Sequence, residues 1–189
     1  MLKIYIDADA CPVKAEVYRV AARYSLCVTL VANKWMRTPD LEQVTLIVVN
    51  EGPDAADDWI VEHIGKGDIA ITADIPLAGR CLEKGAEVIG NTGHPFTEDN
   101  IGDALASRAL LADLRSAGET TSGPAPLTKR DRSRFLQKLD EAIHSCSATG
   151  STSNEVAERD HRTARLHWSM IIFSQQASPP KKNERQASS

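Results

Sequence analysis

The chain reads as an α/β protein. The expected core is a five-stranded, mostly parallel sheet in the order 3-2-1-4-5, with helices on both faces. Three observations predict it. Short apolar runs alternate with stretches whose apolar residues recur at helical spacing, the pattern of successive βα units. The third run is almost continuously apolar, as expected of a strand covered on both faces. Two runs lead into aspartates, Asp7 and Asp74, and the carboxyl ends of strands are where open parallel sheets bind ligands.

Taken in order, Ile4, Tyr5 and Ile6 form the first strand, followed by Asp7 and Asp9. Pro12 suits the first turn of a helix. Val13, Val17, Val20, Ala21 and Tyr24 give that helix an apolar side, and Lys14, Glu16, Arg19 and Arg23 are expected to face water. Residues 26–32 are a β-branched second strand, 33–43 a connection containing Pro39, and 44–50 the third strand. Asp54 suits the N-cap of a helix that buries Ala56, Ile60 and Ile64 and ends at Gly65 and Gly67. Residues 67–74 supply the fourth strand, 75–85 a short helix, 86–90 the fifth strand and 91–96 a loop. Thr97 caps a longer helix with Ile101, Ala104, Leu105, Leu111 and Leu114 on its apolar side. Residues 118–126 read as a linker. Thr128 and Asp131 form a variant capping box before a last helix carrying Phe135, Leu136, Leu139 and Ile143.

A length of 189 residues suits one ordinary domain, expected over 1–145. From 146 to 189 the composition turns Ser/Thr-rich and polar, which predicts a low-complexity, poorly ordered tail. Within it, residues 165–173 (RLHWSMIIF) are apolar enough for a strand or a docking segment. The apolar fraction of 42% and charged fraction of 25% are those of a soluble globular protein. No apolar run approaches the ~20 residues that span a bilayer. The chain enters a strand at once, leaving no room for a signal peptide, so a cytoplasmic protein is expected. Cys11, Cys27, Cys81 and Cys146 lie far apart without a CxxC pair, and read as reduced thiols. A net charge of −4 argues against wholesale nucleic-acid binding by charge, yet allows a basic strip beside an acidic cleft.

The strand order makes strands one and four neighbours where the winding reverses, the usual ligand crevice of such sheets. Asp7, Asp9 and Asp74 follow those strands, and Asp54 and Asp57 open the helix before strand four. Carboxylates gathered there call for a cation, and Mg²⁺ or Mn²⁺ suits their hard oxygens. Each acid also has a local reading. Asp9, Asp54 and Asp74 suit N-caps, and Asp57 suits a positive helix start. Lys34 and Arg37, after strand two, lie at the same edge as expected substrate contacts, and Trp35 between them either stacks on a base or covers the core. Lys129, Arg130, Arg132 and Arg134 either grip phosphate or form a solvated face, and His94 reads as a solvated loop residue. Cys11 is expected to be inert, because flanking aspartates offset the thiol-activating helix start.

The segments IYIDADACPVK, LVAN (30–33), DAAD (54–57), GDIAITADIPLA and GPAPLTKRDRSRFLQKLD (123–140) resemble, in that order, the YaiI/YqxD family of small bacterial proteins. That family looks like a branch of the PIN-like nucleases. The resemblance implies a three-layer PIN-like domain, with Asp7, Asp57 and Asp74 as metal-ligand and catalytic positions and Asp9 and Asp54 as their neighbours. Asn91 stands where the nuclease pattern has a further acid, which puts a fourth ligand in doubt. The implied function is a divalent-metal-dependent phosphodiesterase acting on RNA, with no membrane partner. Two other readings stand beside it. One is a haloacid-dehalogenase-like phosphatase with Asp7 as nucleophile and Asp9 as general acid, although Cys11 departs from that family's pattern. The other is a non-catalytic PIN-like module that binds RNA or protein.

Overall fold

The computed structural model describes residues 1–9, 11–49, 52, 54–116 and 126–149. Its elements, in chain order, are β1 (Lys3–Asp7), α1 (Lys14–Tyr24), β2 (Cys27–Ala32), β3 (Val44–Val48), α2 (Ala55–His63), β4 (Ile69–Ile71), α3 (Ile75–Glu83), β5 (Glu87–Ile89), β6 (Pro95–Phe96), α4 (Glu98–Ser116) and α5 (Lys129–Thr149). The sheet runs β3-β2-β1-β4-β5-β6. β1 is hydrogen-bonded in parallel to both β2 and β4, so the winding reverses between β1 and β4 as expected. The sheet gains a sixth strand over the prediction. Pro95–Phe96, read as loop, pairs antiparallel with β5. Two residues carry too little periodicity to announce a strand.

Period-two alternation divides the side chains between two cores. Ile4, Ile6, Leu30, Ile69 and Ile71 join Val13, Val17 and Val20 of α1 and Phe135, Leu139 and Ile143 of α5. On the opposite face, Tyr5, Val31, Ala70 and Val88 meet Ala56 and Ile60 of α2 and Leu77, Ala78 and Cys81 of α3. Helices therefore cover both faces, giving three layers. α5 is seated against the loop after β5. Gly93 has φ +78°, and a Cβ there would lie 2.5 Å from the Phe135 backbone nitrogen. Its start is closed by reciprocal bonds, with Thr128 N donating to Asp131 Oδ2 at 3.0 Å and Asp131 N to Thr128 Oγ1 at 3.2 Å.

Four expectations need correction. Glu16 does not face water. It is 5% exposed, and Arg132 of α5 donates to its Oε1 at 2.7 Å. Lys14 is half-buried and donates to the Ala8 carbonyl at 2.7 Å, because α1 begins one turn from the end of β1. β3 is apolar but is not covered on both faces. As an edge strand it is half-buried, with Val48 45% exposed. On α4 only Ile101 and Ala104 of the expected stripe are half-buried, and Leu105, Leu111 and Leu114 are exposed. Residues 118–125 of the 118–126 linker, the apolar segment 165–173 and the tail beyond 149 lie outside the described residues.

Candidate functional site

The site is built at the carboxyl ends of β1 and β4. Asp7 shares Tyr5's face by alternation, so its carboxylate turns to the α2/α3 side. There it is buried, and its Oδ2 accepts from Thr72 Oγ1 at 3.1 Å. The same Thr72 oxygen accepts from Asp74 N at 3.0 Å. One hydroxyl thus links the acids that follow the two central strands. Asp74 is the N-cap of α3, its Oδ1 accepting from Leu77 N at 3.0 Å, and Pro76 follows in the first turn.

Asp57 lies half-buried in the first turn of α2. Burial and then repulsion from Asp7, Asp74 and Asp54 push its carboxyl up to about 6. Asp7 is also raised, first by burial, with Asp9 and Asp74 adding to the shift and the Thr72 bond opposing it. Both shifts have neighbouring carboxylates among their causes, as expected where acids from separate elements approach one another. Asp54 is exposed at the N-cap position of α2 with φ 62°, and makes no side-chain cap, so the capping role read from sequence is not the one it plays. Nor does Asp9 cap α1, whose N-cap is Val13. Asp9 is exposed, and its Oδ2 accepts from Asn33 N at 3.0 Å, tying the end of β1 to the loop after β2.

The donor chemistry fits a hard divalent ion, since every carboxylate offers oxygen. Asn33 Oδ1, a further oxygen, is buried without a partner among the described residues. A closed cage is not preformed. Among the described residues, no three His, Cys, Asp or Glu side chains stand together as a ready metal site. Two arginines sit against the acids instead. Arg80 bonds Asp58 at 2.6 Å, and Arg108 of α4 lies 3.2 Å from Asp74 Oδ2 and 3.4 Å from its Oδ1. Sequence reasoning missed Arg108 and Thr72. Thr72 lies inside the ITAD motif and could have been found there, whereas Arg108 reads as one more polar residue on an amphipathic helix.

Lys34 and Arg37 are exposed in the loop after β2, and neither bonds an acid of the pocket. Trp35 is 77% exposed, which removes the reading that it covers the core. Of the basic residues opening α5, Arg132 is committed to Glu16 and Arg134 to Asp131 and His94, while Lys129 and Arg130 are exposed. His94 is exposed, as read from the sequence, and it also meets the Arg134 side chain. Cys11 is buried, and burial pushes its thiol up to about 11, the opposite of what a nucleophile needs.

The fold is that of a doubly wound α/β protein, with acids at the strand ends where the winding reverses. The chain belongs to the YaiI/YqxD family, since a model described as "Uncharacterized BCR, YaiI/YqxD family" matches residues 5–145. It is 59% identical over 144 residues to a UPF0178 protein of Paramagnetospirillum magneticum, covering 76% of this chain and 95% of the relative. A UPF0178 protein of Rhodospirillum rubrum is 57% identical over 143 residues, covering 75% and 95%. One from Bradyrhizobium sp. is 55% identical over 142 residues, covering 75% and 87%. No solved structure matches. Among the described residues, no helix is long and apolar enough to cross a membrane.

Proposed function

We propose that this chain is a divalent-metal-dependent phosphodiesterase acting on RNA. The observation that carries the reading is the coupling of Asp7, Asp74 and Asp57. Two of these acids are linked through Thr72, and the third is raised by the charge of both, which supports reading them as one site. Asp7 and Asp74 would hold Mg²⁺ or Mn²⁺, with Asp9 and Asp54 adding negative charge at the rim. The ion supplies charge neutralisation at the phosphodiester and acidifies the attacking water. Asp57, titrating near neutrality, is suited to take that water's proton. Lys34 and Arg37 offer cations to flanking phosphates, and exposed Trp35 offers a face on which an unpaired base stacks.

The test is cleavage of short single-stranded RNAs with Mn²⁺ by the wild type and by Asp7→Asn, Asp57→Asn and Asp74→Asn. Turnover by the wild type and a loss of about 100-fold or more in each variant is the expected result. A phosphoryl adduct on Asp7 would point to the phosphatase reading instead. RNA binding without turnover in the wild type would leave the non-catalytic module.

A further inference from the structure

We propose that Arg108 is a stand-in cation for the crevice, exchanged at Asp74 for a divalent ion, and that the exchange releases the outer half of α4. The inference rests on the metal-dependent reading above. Two arginines lie near the acids, but they differ in which acid they hold. Arg80 pairs with Asp58, which is outside the proposed ligand set, whereas Arg108 contacts both oxygens of Asp74, which is inside it. While the guanidinium lies there, Asp74 cannot offer an unshared oxygen to anything else. Its Oδ1 is already engaged by Leu77 N.

The anchorage of α4 makes the exchange feasible. Ile101 packs beside Gly79, and Ala104 is half-buried, but residues 105–114 are all exposed. Among the described residues, the Arg108–Asp74 pair is the one hydrogen-bonded or ionic tie from that outer half to another element. Both partners are partly exposed, with side-chain exposures of 48% and 33%, so the tie is weak. A doubly charged ion interacts more strongly with the same carboxylates than one guanidinium does. Asp7 and Asp57 reinforce its attraction to that place, because both sit within the same repulsive group.

Calorimetric titration of the full chain with Mn²⁺, alongside hydrogen exchange across residues 105–114, tests this. Arg108→Gln is expected to bind Mn²⁺ about five-fold more tightly than the wild type, because the competing charge is gone. Arg108→Lys, which keeps that charge, should stay near the wild type. Exchange across the outer half of α4 should rise in the wild type at saturating Mn²⁺. In Arg108→Gln it should be high already and indifferent to the metal. A merely structural arginine would weaken metal binding on removal, not tighten it. If the wild type binds Mn²⁺ and the glutamine variant binds no better, the exchange idea fails while the metal-dependent reading survives. If neither binds, both fail.

Discussion

On the α1/α5 face of the sheet, Glu16 is 5% exposed and has the Arg132 guanidinium 2.7 Å from one oxygen. On the α2/α3 face, Asp7 is 9% exposed and is met by neutral donors, the Thr72 hydroxyl at 3.1 Å and the Asp9 backbone. The two acids are buried alike but compensated differently. A buried carboxylate with a cation on it belongs to the scaffold, since removing either partner strands a charge. Asp7 and Asp57 are both raised by burial and by neighbouring carboxylates, and among the described residues no cation is bonded to either, although Arg80 offsets part of the shift at Asp57. Unmet charge concentrated at a switch point is a mark of a ligand site rather than of architecture.

The comparison breaks first at Arg132. Arg132→Ala should lower stability by about 2 kcal/mol in urea melts, less than for a fully severed buried pair because the arginine is partly exposed. A loss no larger than that of an ordinary surface arginine would mean that Glu16 is not held by charge. Second in size is Thr72→Val, which removes both the donor to Asp7 and the acceptor of Asp74 N. A loss of about 1.5 kcal/mol is expected in the same assay, with Asp7 raised further when followed by carbon-detected NMR titration.

Smallest, and opposite in sign, is Asp57→Asn. The folded Asp57 titrates at about 6 against an ordinary 3.8. Between those values the folded chain binds the proton more tightly than the unfolded one, so stability falls as pH rises from 3.8 to about 6 and levels off above. The asparagine variant should therefore gain about 1 kcal/mol at pH 7, discounted for solvent screening at a half-buried group. Chemical denaturation at several pH values checks this, and a variant that is destabilised at pH 7 would refute the repulsion. With Mn²⁺ present the sign should reverse, since the aspartate then has an ion to hold.

The acids were legible because strand ends and strand order located them. Asp7 and Asp74 stood at the ends of the first and fourth strands, and the reversal between β1 and β4 made those strands neighbours. Glu16 was not legible in the same way. Helical spacing assigned it to water, and the residue that buries it lies 116 positions downstream. Arg108 was hidden for a related reason, because its partner Asp74 is 34 positions earlier and nothing local marks the pair. Leu105, Leu111 and Leu114 misled in the opposite direction. Their spacing satisfies a helix stripe, but a stripe is buried only where something lies across it. Short-range pattern reports what a residue could do, and long-range pairing decides what it does.

Position 93 carries a constraint on how this sequence can drift. With φ +78° and the Arg134 and Phe135 backbone within 2.7 Å of where a methyl would stand, it admits no residue that has a side chain unless the whole terminal helix backs away. Such a retreat would pull Phe135 from the interior and take Arg132 off its glutamate in one movement. A substitution far from any acid would thereby unsettle the opposite side of the sheet first, and the loss would register as unfolding before it registered as failed chemistry.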